Sequence, residues 1–295
     1  MQFINPKTDF AFKKIFGSAQ SHGVLISFIN GLVYNGEAEV IDLEILNPYQ
    51  APRVRGMKDT YLDVKARLQD GTSVIIEMQV LNVEGFEKRI LYNAAKAYST
   101  QLGSGDDYKL LNPVIALTIT DFRMFEEWEN YRSSFILKEK DFLIDYPTYD
   151  LELVFVELPK FDRSLDQLTT LMEQWLFFLK NARQLQAIPE TIAQVPAIRQ
   201  AFEMANEVNL SADELDDLEK REIFIHDQRN AISLALKQGL QQGIEQGIEQ
   251  GIEQGRLQEK LAIAHQLIPL LDDAAISQVT GLGPSDIQAL RQEQG

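Results

Sequence analysis

Two kinds of periodicity divide the chain. Alternation of apolar and polar residues is typical of the first half, and helical spacing is typical of the second half. Since all the predicted strands precede Pro159 and only helices are predicted after it, a boundary is predicted near Pro159. The pattern predicts strands at 38–46, 61–80, 114–120 and 151–158, and helices at 8–16, 24–33, 84–102, 165–180, 196–207 and from 213 past 256.

The clearest pattern lies in residues 61–80, where two alternating runs flank the loop Gln69-Asp70-Gly71. Both apolar sets share one face only if this loop has three residues, because a two-residue Asp-Gly turn would turn one set outward. We therefore expect Gly71 at positive φ, Asp63 opposite Glu77, and Tyr61 opposite Gln79. The apolar positions are Leu62, Val64, Ala66, Leu68, Val74, Ile76, Met78 and Val80.

Asp63 and Glu77 would then be two carboxylates on one polar face. Directly opposite residues have Cβ atoms about 4.5 to 5.5 Å apart, which is close enough for both carboxylates to hold one ion. Like charges in opposite positions are unfavourable, and a bound cation is one compensation. The alternative is an exposed sheet face, on which Lys65 and Arg67 offset the repulsion between solvated acids.

The amino-acid composition limits the kinds of metal site that the chain can form. The chain has no cysteine and three histidines, so disulfides, thiolate zinc sites and cysteine nucleophiles are excluded. A metal would be held mainly by carboxylates, which suit hard ions such as Mg²⁺ or Mn²⁺. No apolar run is long enough to cross a bilayer, and residues 1–10 lack the apolar core of a secretory signal. We therefore expect a cytoplasmic protein without a membrane partner.

The formal net charge of -16 on its own argues against a nucleic-acid partner. Residues 1–110 hold 12 Lys/Arg against 13 Asp/Glu, a net of -1, which leaves -15 for the remaining residues. The first part therefore offers cations for phosphates, although any single one of them is more often a solvated surface charge. These cations are Lys13, Lys14, Arg53, Arg55, Lys58, Lys65, Arg67, Lys88, Arg89 and Lys96.

The tail contains a repeat of period four. Gln-Gly-Ile-Glu occurs three times from Gln242, after the imperfect copy Gln-Gly-Leu-Gln. Five glycines would weaken an isolated helix, but small residues every fourth position permit close approach of a second helix. Self-association into a homo-oligomer and a solvated linker are both open. The predicted parts are a domain at 1–160, a helical extension at 161–236, the repeat at 237–258 and a helical hairpin at 259–295.

Several motifs together resemble the recombination-promoting nucleases, which are PD-(D/E)xK family transposases. Leu62-Asp-Val and Ile76-Glu-Met-Gln79 are similar to the active-site strands of that family. The segments that resemble its opening, its next helix and its later motif are Thr8-Asp-Phe-Ala-Phe-Lys-Lys-Ile-Phe-Gly17, Arg89-Ile-Leu-Tyr-Asn-Ala-Ala-Lys-Ala-Tyr-Ser-Thr-Gln101 and Glu157-Leu-Pro-Lys-Phe161. The resemblance covers roughly residues 1 to 260.

The resemblance implies an α/β fold with a restriction-endonuclease-like core of helix, three strands, helix and strand, followed by a C-terminal helical region. It implies a Mg²⁺- or Mn²⁺-dependent DNA endonuclease linked to recombination or mobile elements, with Asp63 and Glu77 as metal ligands. The wider class has a Lys at the position of Gln79. In this chain, Gln79 would orient the attacking water instead.

Other side chains are candidates for supporting roles. Lys65, on the same polar face as Asp63, is a candidate for the missing charge, with a phosphate contact or plain solvation as alternatives. Asp9 is either a further acid or a helix cap. Lys13, Lys14, Arg89 and Lys96 are candidates for contacts with DNA phosphates. A catalytically weakened DNA-binding or assembly protein of the same fold is the alternative, because Gln79 supplies no positive charge.

Overall fold

The computed structural model describes residues 2–50 and 60–294. The chain divides into two compact units, Met1–Gln228 and Arg229–Gly295. The first unit combines helices with a central mixed sheet, so the expected α/β class is confirmed. The four-part division predicted from the sequence stays a prediction.

The chain begins with two helices, α1 (Asp9–Phe16) and α2 (His22–Leu32). The side chain of Thr8 accepts a hydrogen bond from the amide of Ala11 and so caps α1, which ends at Phe16 as predicted. Aromatic side chains of both helices lie in the main core, where Phe16 packs 4.3 Å from Phe28 between ring centroids.

A six-stranded sheet in the described residues forms the centre of the first unit. The elements are β1 (Leu43–Leu46), β2 (Tyr49–Gln50), β3 (Thr60–Tyr61), β4 (Val64–Leu68), β5 (Ser73–Gln79), α3 (Phe86–Ser99), β6 (Val114–Thr120), β7 (Arg132–Phe135) and β8 (Leu151–Glu157). The strand order is β1-β4-β5-β6-β8-β7, and β2 pairs separately with β3. Strands β5, β6 and β8 are parallel, whereas the other neighbours are antiparallel.

The hairpin of β4 and β5 has the predicted register. Val64 pairs with Ile76, and the Leu68 amide donates to the Thr72 carbonyl at 2.8 Å across a three-residue loop. Gly71 has a φ of +92°, as the alternation required.

The chain bends before β4, which corrects two expectations. Tyr61 pairs with Tyr49 and not with Gln79, because β3 belongs to the separate two-stranded ladder. Leu62 packs with Ile75 and Phe86 on the opposite side of the sheet from Val64. The strand β4 therefore starts at Val64, three residues later than predicted, and Asp63 lies at the bend just before it.

Each face of the sheet is covered by helices. Helix α3 packs on one face through a second, smaller core that contains Ile90 and Ala94. The other face packs against the main core, which also includes the later helices through Trp175 and Phe202. Those helices are α4 (Leu171–Asn181), α5 (Glu190–Ala193), α6 (Pro196–Met204) and the first part of α7 (Ala212–Leu267).

The repeat segment is helical in the second unit. It lies within α7, and the unit ends with α8 (Asp273–Thr280) and α9 (Pro284–Gln294). The apolar side chains of the repeat are 50% to 65% exposed, whereas Ile268, Ile276 and Ile287 form a small core further on. No helix among residues 2–50 and 60–294 is long and apolar enough to cross a membrane. The exposed repeat positions are Leu240, Ile244, Ile248 and Ile252.

Candidate functional site

A pocket of about 370 Å³ lies at the bend before β4, beside the end of β5 and the first half of α3. It collects acids that are far apart in the sequence, because α1, the bend and β5 meet there. The residues that line it are Asp9, Thr60, Tyr61, Asp63, Glu77, Met78, Gln79, Arg89 and Asn93.

Asp63 is the most strongly perturbed acid of the pocket. Its Oδ2 accepts a 2.7 Å hydrogen bond from the Met78 amide, and its Oδ1 lies 3.7 Å from Lys13 Nζ. Burial raises the pKa of Asp63 to about 7. The Met78 amide and Lys13 oppose that rise, whereas a hydrogen bond with Asp9 and the charge of Asp9 add to it. The negative charge of ionised Asp63 is therefore not fully compensated by its neighbours, and a bound cation would supply the missing compensation.

Glu77 is held from α3. The side-chain amide of Asn93 donates to Glu77 Oε1 at 2.5 Å, and Arg89 Nη2 lies 3.8 Å from Glu77 Oε2. Burial raises the pKa of Glu77, and these two neighbours offset the rise only in part. Both acids that the sequence singled out are thus largely buried in one pocket.

Asn93 was missed in the sequence. It is 2% exposed, and its Oδ1 is buried without a hydrogen-bond partner among the described residues. A signal was present, since Asn93 lies on the buried stripe of α3 between Phe86 and Ala97. A polar residue in an apolar stripe needs a partner inside the protein, and here that partner is Glu77.

Gln79 uses both ends of its amide within the protein. Its Nε2 donates to the Leu81 carbonyl at 2.8 Å, and its Oε1 accepts from Arg89 Nη2 at 2.7 Å. The Gln79 amide, which occupies the position of the lysine in the wider class, is therefore hydrogen-bonded to Arg89 on α3.

Asp9 lines the pocket and does not cap α1, because Thr8 is the cap. Lys13 Nζ lies 2.5 Å from Asp9 Oδ1, and Arg221 Nη1 lies 2.8 Å from Asp9 Oδ2. Burial raises the pKa of Asp9. Hydrogen bonds from Lys13 and Asp63, together with the charges of Lys13 and Arg221, overcome that effect and hold the pKa below its usual value.

The other predicted cations are distributed differently. Lys65 lines a separate polar pocket with Arg67, and burial, together with the charge of Arg67, lowers its pKa. Lys14 pairs with Glu214 at 2.7 Å. Lys96 is 3% exposed, which removes it from the surface that a phosphate could reach in this conformation. Arg53, Arg55 and Lys58 lie outside the described residues.

Lys96 has a structural place instead of a surface one. Its Nζ donates to the Gln50 carbonyl at 2.8 Å and to Thr60 Oγ1 at 3.3 Å, so it ties α3 to β2 and β3. Since Thr60 lines the pocket, Lys96 supports one of the residues of the pocket wall.

A family model described as PD-(D/E)XK nuclease family transposase matches residues 6–235. The chain belongs to this family. The resemblance seen in the motifs is thereby confirmed, and the chain has a nuclease or mobile-element related function. Comparisons with curated proteins and with solved structures gave no match.

The carboxylates of Asp63 and Glu77 fit a hard cation whose remaining ligands would be water and oxygens of a substrate. Among residues 2–50 and 60–294 no group of three or more His, Cys, Asp or Glu side chains could hold a metal ion by itself. Mg²⁺, however, commonly uses one or two carboxylates and completes its shell with water and phosphate oxygens. Asp63 and Glu77, both with pKa values raised by burial, provide two such carboxylates.

Proposed function

We propose that the chain is a metal-dependent DNA endonuclease with a restriction-endonuclease-like core, linked to recombination or mobile-element activity. The observation that carries the proposal is the pair of largely buried carboxylates, Asp63 and Glu77, in one pocket. Burial of acids without full compensation is costly, and sites that bind cations are where proteins accept this cost.

Asp63 and Glu77 would hold the cation through their carboxylate oxygens. A bound Mg²⁺ or Mn²⁺ would polarise the phosphate, promote ionisation of water and stabilise the leaving oxygen. The Met78 amide fixes the Asp63 carboxylate, and Asn93 fixes that of Glu77, so the two oxygens keep their orientation. Asp9 adds a third acid at the pocket wall.

The cations around the pocket would contact the DNA backbone. The side chains of Lys13 and Arg89 are 40% and 41% exposed, and that of Lys14 is 26% exposed. Each has an intramolecular acidic partner, respectively Asp9, Glu77 and Glu214, so phosphates would compete with those carboxylates. Because phosphate binding releases counterions from DNA, binding should weaken steeply with salt.

One observation favours a second function, a DNA-binding or assembly protein with weakened catalysis. Lys13 Nζ lies between Asp9 and Asp63, where an ammonium group already compensates part of the acidic charge. In addition, Gln79 brings no positive charge of its own. Assembly would involve the exposed repeat residues on α7, which we propose join copies of this chain into a homo-oligomer.

Cleavage of supercoiled plasmid separates the two functions. Purified full-length protein is incubated with Mg²⁺, Mn²⁺, Ca²⁺ or EDTA, and nicked and linear products are counted on gels. We expect cleavage with Mg²⁺ or Mn²⁺ that Asp63→Ala and Glu77→Gln abolish. The exposed Asp141→Asn should cleave normally. Unimpaired DNA binding without cleavage under any metal condition would support the second function instead.

A further inference from the structure

We infer that Arg89, held in place by Gln79, supplies the positive charge that the active-site strand itself lacks. The inference rests on the proposed nuclease function and deepens it. Arg89 would contact the scissile phosphate, and Gln79 would be a positioning residue.

Each end of the Gln79 amide already has a partner within the protein. Its Nε2 is occupied by the Leu81 carbonyl and its Oε1 by Arg89 Nη2, at 2.8 and 2.7 Å. An amide fixed at its donor end presents its oxygen in one direction, and that direction is towards the guanidinium. Gln79 therefore acts on Arg89.

The Arg89 guanidinium has neighbours on three sides. Its Nη2 donates to Gln79 Oε1 at 2.7 Å and lies 3.8 Å from Glu77 Oε2, a distance that leaves this ion pair weak. The group also lies over the Phe86 ring at 5.0 Å from the centroid. Its Nε is buried without a hydrogen-bond partner among the described residues. A planar guanidinium with donors to spare at the edge of an acidic pocket is suited to bidentate recognition of a phosphate.

The other cations near the pocket are less suitable. Lys13 lies on the Asp9 side and contacts both Asp9 and Asp63. Lys65 lines the separate pocket with Arg67. Arg89 is thus the described cation that contacts both Glu77 and Gln79, where the class places its lysine.

Helix α3 accordingly contributes two functions at consecutive turns. Arg89 and Asn93 are four residues apart and lie on the same side of the helix. Asn93 holds Glu77 Oε1 while Arg89 lies near Glu77 Oε2, so one helix face positions the acid and brings the cation.

The test is a set of variants in the full-length protein, compared by plasmid cleavage under saturating Mg²⁺. Arg89→Gln should lower kcat by about 100-fold or more, because it removes charge stabilisation in the transition state. Gln79→Ala should lower kcat about 10-fold through loss of positioning. Lys88→Gln, a neighbouring exposed residue on α3, removes the same charge and should change kcat less than about threefold.

The exchange variant carries the sharpest prediction. Gln79→Lys alone should lower kcat, because a lysine loses the acceptor for Arg89 and repels its charge. The double variant Gln79→Lys with Arg89→Gln should be more active than either single variant, since it returns the cation to the strand. An exchange that is no better than Arg89→Gln would overturn the inference.

Binding separates a catalytic role from a structural one. In EDTA, fluorescence anisotropy with a short duplex should give similar affinities for Arg89→Gln and Lys88→Gln, because each loses one cation. If the wild type cleaves DNA and Arg89→Gln has a normal kcat, the inference is overturned and the proposed function stands. Failure of the wild type to cleave would remove both. If Arg89→Gln proves unstable in circular dichroism, the comparison of Gln79→Lys with the exchange variant decides.

Discussion

Asp63→Asn should make the metal-free protein more stable at alkaline pH. The Asn side chain can still accept the Met78 amide proton that Asp63 Oδ2 accepts at 2.7 Å. It can also donate to Asp9, so the local hydrogen bonds survive the change. What disappears is a carboxylate whose ionised form the pocket disfavours.

The magnitude follows from the pKa. Burial, before all other causes, raises the pKa of Asp63 from 3.8 to about 7. Between these values the folded protein holds more protons than the unfolded chain, so wild-type stability falls as the pH rises through this window. At roughly 1.4 kcal/mol per pH unit the upper limit is roughly 4 kcal/mol. Because Asp63 titrates together with Asp9, we expect about half of that, about 2 kcal/mol.

Urea unfolding in EDTA measures the difference. Both tryptophans, Trp128 and Trp175, belong to the first unit, so their fluorescence reports on the unit that contains the site. The advantage of Asp63→Asn should grow from about pH 5 to about pH 8 and then level off. Asp141→Asn, at an exposed position, should show no such trend. A pH-independent difference, or a less stable Asp63→Asn at about pH 8, would refute the reasoning.

Gly71→Ala should cost about 1 to 3 kcal/mol in urea unfolding, because φ is +92° and an added Cβ would lie 2.6 Å from Asn112 Oδ1; unchanged stability would contradict the loop geometry. Added Mg²⁺ or Mn²⁺ should raise the unfolding midpoint of the wild type but not of Glu77→Gln, and an equal rise in both would place the ion elsewhere. Ile244→Gln with Ile248→Gln should lower the solution mass measured by light scattering, whereas an unchanged mass would favour the linker interpretation of the repeat.

Burial on both faces explains what the sequence could predict. The apolar sets around Val64 and Val74 had to share a face, which required the three-residue loop and the Val64–Ile76 pairing. The same alternation continues through the bend before β4, so the sequence pattern carries no sign of that bend. Leu62 continues the alternation, yet it packs with α3 on the other face, so an apolar side chain there was compatible with either side. Periodicity does not distinguish two buried faces.

Contacts between segments that are distant in the sequence could not be predicted from the pattern of apolar and polar residues. Nothing in Arg-Ser-Ser-Phe marked β7 as a strand, because this edge strand lacks alternation. Lys96 was expected at the surface, as most lysines are, but the fold places the Gln50 carbonyl and Thr60 within its reach. The contact between Gln79 and Arg89 likewise depends on how α3 crosses β5, which local spacing does not determine.

The most direct test of the central claim is the position of the ion itself. Crystals of the full-length protein soaked with Mn²⁺ should give an anomalous peak about 2.0 to 2.6 Å from carboxylate oxygens of both Asp63 and Glu77. The same soak of Glu77→Gln crystals should show no peak there. A peak that touches neither carboxylate, or a site in the wild type that stays empty at saturating Mn²⁺, would contradict the shared-metal account.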